Sequence, residues 1–328
     1  MAMNKVVAMY NFFEIQDPIV IRDFLDRLTE KHSIQGGFII ANEGINGTIS
    51  GSCIDMDSFL EALFAEKSLF REKKDSFEIK YSYANINPFY RMRLKISSEI
   101  ITFFNAIDGS NGNMNNRGIY VSPKDWNNLI VDPDVTVIDT RNSYEVEIGR
   151  FKNAIDPNTK KFADLPGFLS TNLDKKKNKK IAMYCTGGIR CEKSCAYLLS
   201  QGFEEVYSLK GGILKYLEEI PEENSLWSGD CYVFDQRISV GHQLKITGNY
   251  TLCRSCRHPL NKYEQDELNH YIDGVQCVYC YNSISESKKQ KNIERHKQLM
   301  INPSHLGLKY APHIKKKKHQ HDDDNNSN

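Results

Sequence analysis

A cysteine, two glycines, an arginine and a second cysteine stand together in "CTGGIRC", Cys185 to Cys191, between the apolar run "IAMY" and the helix-like run "EKSCAYLLSQG". A strand that ends on cysteine and turns through glycines into a helix can aim its backbone N–H groups and the helix N-terminus at the sulfur. Those donors and the Arg190 guanidinium favour the thiolate and lower the thiol pKa. The turn through Thr186, Gly187, Gly188 and Ile189 is therefore expected to cradle a charged sulfur, or an anion bound to it. The plain alternative for Cys185, a buried packing residue, leaves this strand, loop and helix without a purpose. Tyrosine-phosphatase-type loops put five residues between cysteine and arginine and hold a phosphate; here there are four, which suits a persulfide or a small sulfur anion.

A second set of thiols lies further on. "CRSC" (Cys253, Cys256) and "CVYC" (Cys277, Cys280) are two C-x-x-C knuckles twenty residues apart. That spacing can wrap four sulfurs tetrahedrally around zinc, a closed and hence structural arrangement. His258 and His270 are bystanders on this reading, and Cys195 and Cys231 fill cores. No G-x-G-x-x-G follows a strand to mark a flavin or nicotinamide site, and no His-x-Asp/Glu pair outside the tail marks a ferrous centre.

The elements that must position these residues are legible from periodicity. "KVVAMYNFF" reads as a strand, "DPIVIRDFLDRLTEKH" as a helix capped by Asp17 with Pro18 in its first turn, and "GGFIIANEGINGTISG" as a hairpin. A helix over about 55–66 and the strand "SFEIKYSY" complete a βαββαβ order, which is a ferredoxin-like (acylphosphatase-like) sandwich. The middle of the chain alternates helices ("SPKDWNNLI", "EKSCAYLLSQG", "GILKYLEEI") with strands ("VTVIDT", "KKIAMYC", "EVYSL"), as a doubly wound parallel sheet does. The expected domains are a ferredoxin-like one over 1–100, a linker over 101–119, a parallel-sheet domain over 120–224, a Cys-rich zinc-knuckle segment over 225–300 and a disordered tail over 301–328. In a parallel sheet, function gathers at the carboxyl ends of the strands, which is where Cys185 falls.

At 328 residues, 40% of them hydrophobic, the chain is long enough for several cores, and its formal net charge of +1 leaves only local patches for anionic partners. Arg91, Arg93 and Lys95 alternate in "YRMRLK" beside Phe89 and Tyr90, an interleaving that fits phosphate contact and base stacking on a strand. Asn42, Glu43 and Asn46 stand at the hairpin apex, where turn chemistry alone accounts for them. The nine cysteines, an odd number, fit a reducing compartment. With no leader-like N-terminus and no apolar run near the roughly 18 residues a membrane span needs, the protein is expected in the cytoplasm.

The motifs also carry a resemblance. "CTGGIR" resembles the C-x-x-G-x-R loop of rhodanese domains, "VIDTRNSYEVEIGRFKNAI" resembles their signature through Asp139, Arg141, Glu145, Gly149 and Ala154, and "SLKGGI" resembles their closing motif. On that resemblance Cys185 carries a cysteine persulfide, and Asp139 and Arg141 support the loop. The longer "CTGGIRCEK", with "ANEGINGTISG", "PFYRMRLK", "IDPNTKKFADLP", "CYVFDQR" and the paired knuckles, is similar over about 5–282 to the rhodanese-domain oxygen-dependent tRNA uridine hydroxylase family. The resemblance implies an enzyme that uses molecular oxygen and an unidentified electron donor to make 5-hydroxyuridine at the wobble position, in the anticodon region of tRNA. It also implies that Asn42, Glu43 and Asn46 help to line the tRNA pocket, together with Arg91, Arg93 and Lys95.

Two thiol chemistries remain open at this stage. Cys185, or else Cys191, adds to C6 of the uracil; alternatively a Cys185 persulfide is a redox carrier resolved by Cys191. A rhodanese-type sulfurtransferase and a non-catalytic RNA-binding adaptor are the rival functions.

Overall fold

The computed structural model describes residues 3–66, 70–103, 117–265 and 270–301. Most of the expected linker and nearly all of the expected disordered tail fall outside the described residues. Two compact units are present, one of residues 1–252 with 258–263, the other of residues 253–257 with 264–328.

The first unit opens with β1 (Asn4–Phe12), α1 (Pro18–Lys31), β2 (Gln35–Ala41), β3 (Gly44–Ser52), α2 (Cys53–Ala65), β4 (Glu78–Ala84) and β5 (Met92–Ile96). Asp17 caps α1 by accepting from the Ile19 and Val20 N–H groups, and Ser52 caps α2 from Asp55. The sheet order β4-β1-β3-β2 is the ferredoxin-like one, and β5 extends it by pairing parallel with β2. That fifth strand is an addition to the expected βαββαβ: the basic-aromatic segment supplies an edge strand. Alternation along β1 sends Val7 and Met9 into the core under the helices, with Phe38, Ile40, Phe59 and Leu63. Tyr10 and Phe12 point out of the opposite sheet face into a smaller cluster with Ala41, Ile100, Ile101 and Ile189.

The parallel-sheet domain follows as β6 (Ile119–Val121), α3 (Pro123–Ile130), β7 (Val135–Asp139), α4 (Ser143–Val146), β8 (Gly149–Phe151), α5 (Leu165–Asn172), β9 (Lys180–Tyr184), α6 (Ile189–Ser200), β10 (Glu205–Leu209) and α7 (Gly212–Glu219). Its sheet order is β6-β10-β9-β7, with every described pairing parallel. Both faces are apolar, as a covered parallel sheet requires. Val137, Ala182 and Tyr184 pack with Trp126, Ile213 and Tyr216 on one side; Ile138, Ile181 and Met183 pack with Leu165, Leu169 and Leu198 on the other.

Short strands complete this unit: β11 (Trp227–Gly229), β12 (Cys231–Tyr232), β13 (Ser239–Val240), β14 (Thr251–Leu252) and β15 (Pro259–Leu260). Here the boundary differs from the expected Cys-rich segment over 225–300. β11 pairs with β8, and Trp227, Cys231 and Val240 join the core around Phe151, so residues up to 252 belong with the parallel sheet. The second unit contains the four-cysteine cluster and α8 (Glu286–Ile301), a polar helix anchored by Asn292, whose side chain donates to Ser255 Oγ and the Val275 carbonyl at 3.0 Å each.

Candidate active site

β9 ends at Tyr184, the chain turns at Cys185, and α6 begins at Ile189, so the cysteine stands at the carboxyl edge of a central strand. Gly188 takes φ +103°, closing the turn so that its N–H donates to Cys185 Sγ at 3.0 Å. The backbone N–H groups of Arg190 and Cys191, at the start of α6, also favour negative charge on this sulfur. From the other side α7 braces the loop, because Ile213 and Leu214 donate to the carbonyls of Cys185 and Thr186 at 2.9 and 3.1 Å. Gly212, at φ +68°, makes that approach possible; a Cβ there would lie 2.6 Å from the Cys185 carbonyl oxygen.

Burial opposes a charged sulfur, but the Cys191 thiol, the Arg190 guanidinium and the backbone N–H groups together outweigh it and pull Cys185 down to about 5. Burial and the neighbouring thiolate push the Cys191 thiol up, so the pair divides into one anion and one proton donor. Cys191 also lies 3.8 Å from Thr140 Oγ1, and that hydroxyl donates to the Tyr184 carbonyl at 2.9 Å.

Arg190 is held rather than free. Its two terminal nitrogens donate to the Glu145 carboxylate at 2.7 and 2.8 Å, and one also reaches Thr186 Oγ1 at 3.1 Å. Burial raises the Glu145 pKa, yet the Arg190 charge and hydrogen bonds more than offset this, leaving the carboxyl below its ordinary value. Glu145 caps α4 as well, by accepting from the Asn142 N–H at 3.2 Å. Beneath it, Arg141 forms a fork with Asp139 at 2.9 and 2.7 Å, donates to the Glu145 and Gly149 carbonyls, and stacks on Trp227 at 5.1 Å. Asp139 and Arg141, both fully buried, thus join the end of β7 to the segment that carries Glu145.

The ferredoxin-like domain reaches this loop directly. Tyr10 donates to Glu192 Oε1 at 3.1 Å, Tyr120 donates to both Glu192 oxygens at 2.8 and 2.9 Å, and a Cβ on Gly188 would lie 2.9 Å from Tyr10 Oη. Burial raises the Glu192 pKa, with Tyr120, Arg117 and Tyr10 opposing the shift. Next along α6, Lys193 bridges Glu43 and Glu99 at 2.8 and 2.7 Å with only 4% of its side chain exposed. Half-buried Lys80 lies 5.6 Å from the Tyr10 ring centroid; burial lowers its pKa, against the pull of Glu78 and Cys185.

These contacts alter the reading of three residues. Glu43, expected to face RNA, holds Lys193 and accepts from the Ile100 N–H at 2.7 Å. Asn42 donates to the Ile15 carbonyl at 2.9 Å, and Asn46 to that of Ile100 at 3.1 Å. All three make contacts within the protein, although Asn42 is exposed and Glu43 and Asn46 are only partly buried. Arg93 and Lys95 lie on one face of β5, opposite Met92 and Leu94, which pack on the helix-side core; Arg91 precedes the strand. Register places Lys80, Ala8, Thr48, Gly37 and Arg93 in one row across the sheet, on the face from which Tyr10 points. The sequence carried no sign of Lys80 or Glu99, and Glu192 and Lys193 stood there only as the unassigned end of "CTGGIRCEK", whereas Glu145 stood in a recognisable signature.

In the second unit, the sulfurs of Cys253, Cys256, Cys277 and Cys280 all lie within 4.8 Å of one another, with pairs at 4.0, 3.7 and 3.8 Å. A tetrahedron of thiolates ~2.3 Å from a central ion has edges of ~3.8 Å, so the cluster can hold a metal ion. His258 is elsewhere, paired with Glu147 at 2.9 Å, and the His270 ring stacks on Tyr281 with centroids 4.0 Å apart.

A parallel sheet whose central strand delivers a thiolate into a glycine turn closed by arginine defines a rhodanese-type domain, here joined to an acylphosphatase-like one. Family models agree: residues 4–100 match the UPF0176 acylphosphatase like domain and residues 122–219 the Rhodanese-like domain. The chain is 47% identical over 300 residues to the tRNA uridine(34) hydroxylase of Teredinibacter turnerae, covering 92% of this chain and 88% of that protein. It belongs to the tRNA uridine(34) hydroxylase family. Among solved structures it is similar to a rhodanese-like domain from Anabaena sp. (22% identity, 34% of this chain and 78% of that one, TM-score 0.28) and to a rhodanese-related protein from Thermoplasma volcanium (25%, 31% and 92%, TM-score 0.25).

Proposed function

We propose that this chain hydroxylates the wobble uridine of tRNA to 5-hydroxyuridine with molecular oxygen, and that the Cys185 thiolate is its nucleophile. What supports the activity is the 47% identity to a tRNA uridine(34) hydroxylase along 92% of the chain. What supports the nucleophile is the set of backbone donors and the guanidinium that favour its anion.

Thiolate addition to C6 forms a C–S bond and moves the ring's π electrons toward C5 and the C4 carbonyl. The electron-rich C5 then takes one atom of O2; the other leaves as water, which consumes two electrons and two protons from an external donor. Loss of the C5 proton and cleavage of the C–S bond restore the ring. Arg190, kept in place by Glu145, balances the sulfur's charge before addition and again as the C–S bond breaks, and Cys191 is a neighbouring proton-bearing thiol.

The sheet face that carries Lys80, Arg93 and Lys95 meets the Cys185 loop at Tyr10 and supports a path for the tRNA backbone, with Arg91 at the edge. The four-thiolate set of Cys253, Cys256, Cys277 and Cys280 fits structural zinc, and it takes no part in the steps above. In the test, purified protein, tRNA, oxygen and a reductant are incubated and the nucleosides digested. A wobble uridine gaining about 16 mass units, lost in Cys185→Ser and without oxygen, supports the proposal; no gain in mass with the wild-type protein sinks it. An RNA bearing 5-fluorouridine should trap an adduct at Cys185, and its absence there would count against thiolate addition.

A further inference from the structure

Cys185 is wholly buried, yet a large aromatic ring beside its loop is not. Phe234 follows β12 in the motif "CYVFDQR" and is 59% exposed. A single exposed apolar side chain is ordinary on a protein surface, so exposure decides nothing by itself. The surroundings of this one do. The Arg190 guanidinium carbon, from the active loop itself, lies 5.8 Å from the ring centroid. Tyr232 meets the ring edge-to-face at 5.1 Å, and Tyr144 meets Tyr232 in the same way at 5.3 Å. Tyr232, itself backed by Tyr144, and a fixed cation therefore brace Phe234 while more than half of it faces solvent.

The next residues pin the backbone. Arg237 grips Asp235 through a fork at 2.9 and 2.6 Å and donates to Ser82 Oγ on β4 at 2.8 Å, and the Gln236 N–H donates to the Pro88 carbonyl at 3.4 Å. The segment is thus tied to the ferredoxin-like domain on one side of Phe234 and to the parallel-sheet domain, through Tyr232 and Arg190, on the other. A ring that served only packing would not need a brace from both domains to remain exposed.

We infer that Phe234 is a stacking platform for the planar base of the substrate nucleotide, receiving it on its solvent-facing side beside the Cys185 loop. The inference rests on the proposed reaction at uridine and adds a residue that binds the base. Aromatic rings recognise a nucleobase through its π face whatever its hydrogen-bonding edge, and one such stack changes affinity by roughly five- to a hundredfold. An adjacent guanidinium draws electron density in the ring toward itself and supports the stack from below.

Full-length protein supplies the test. Phe234→Ala should raise the KM for tRNA about tenfold and leave kcat within about twofold, whereas Phe234→Tyr should restore wild-type values. Phe234→Trp gives a readout independent of turnover, because the two native tryptophans, Trp126 and Trp227, are buried at 0% and 6% exposure and contribute a steady background. Its emission should be quenched by an anticodon stem-loop carrying uridine at the target position, and far less by one carrying 5,6-dihydrouridine, whose puckered ring stacks poorly. An unchanged KM in Phe234→Ala, or equal quenching by the two RNAs, overturns the platform. Wild-type protein that yields no 5-hydroxyuridine while the uridine-dependent quenching persists would overturn the proposed reaction and uphold the platform.

Discussion

The proposed chemistry rests on one sulfur and the groups that decide its charge. Burial alone would make Cys185 a poor acid; the Gly188 N–H, neighbouring backbone dipoles, a thiol and a guanidinium reverse that. The folded pKa is depressed, so the thiolate persists above it and is lost as pH falls. Titrated by thiolate absorbance as the difference between wild type and Cys185→Ser, the transition should centre near pH 5, and hydroxylation should decline through the same window. A midpoint near 9, the ordinary thiol value, would contradict the cradle. Glu145 acts through Arg190: Glu145→Gln removes the counter-charge of a guanidinium with 6% of its side chain exposed, and a buried ion left without its partner costs about 3–5 kcal/mol. Thermal denaturation measures that cost.

At the scale of elements, the site is a turn between β9 and α6 whose shape depends on one glycine far more than on its neighbour. Gly188 has φ +103°, and a Cβ there would meet Tyr10 Oη at 2.9 Å, whereas a Cβ on Gly187 would have nothing within 4 Å. Gly188→Ala should therefore cost about 1–3 kcal/mol and move the thiol pKa upward, because strain turns its N–H away from the sulfur. Gly187→Ala should stay within about 0.5 kcal/mol of wild type in the same melting experiment. Equal losses in the two variants would show that the turn has no such asymmetry. The β–turn–α order of this element was legible from the sequence, because an apolar run, glycines and a helical period follow one another without a gap. The Arg190–Glu145 pairing was not, since spacing along the chain does not say which carboxylate a guanidinium will find.

At the scale of the molecule, two kinds of contact join the domains of the first unit. The apolar cluster of Tyr10, Phe12, Ala41 and Ile100, against which Ile189 of the parallel-sheet domain packs, contributes about 1.5–3 kcal/mol for each large side chain buried, whereas a buried ion pair nets little against its desolvation. The apolar patch holds the domains together, and Lys193 between Glu43 and Glu99 sets their register. Lys193→Met should destabilise the first unit by about 3–5 kcal/mol, and adding Glu99→Gln should recover part of the loss, a coupling that a double-mutant cycle measures. In the second unit, stripping metal with a chelator should abolish hydrogen-exchange protection in α8, because Asn292 anchors that helix to Ser255 and Val275 within the cysteine knuckles. Protection that survives metal removal would mean that the thiols contribute no folding energy. Among the described residues, no helix is long and apolar enough to cross a membrane.

The sequence by itself determined what local pattern can encode: two α/β domains in their order, a cysteine at a strand end, a glycine turn and two thiol knuckles. Each is written within a few residues of chain, where periodicity and backbone permission act directly. Tertiary structure alone decided which side chains meet. Tyr10 finds Glu192 across 182 positions and Lys193 finds Glu99 across 94, while Glu43 in the polar turn pairs with Lys193. A polar residue in a turn reads the same whether water or a partner domain will satisfy it, and only packing settles which does.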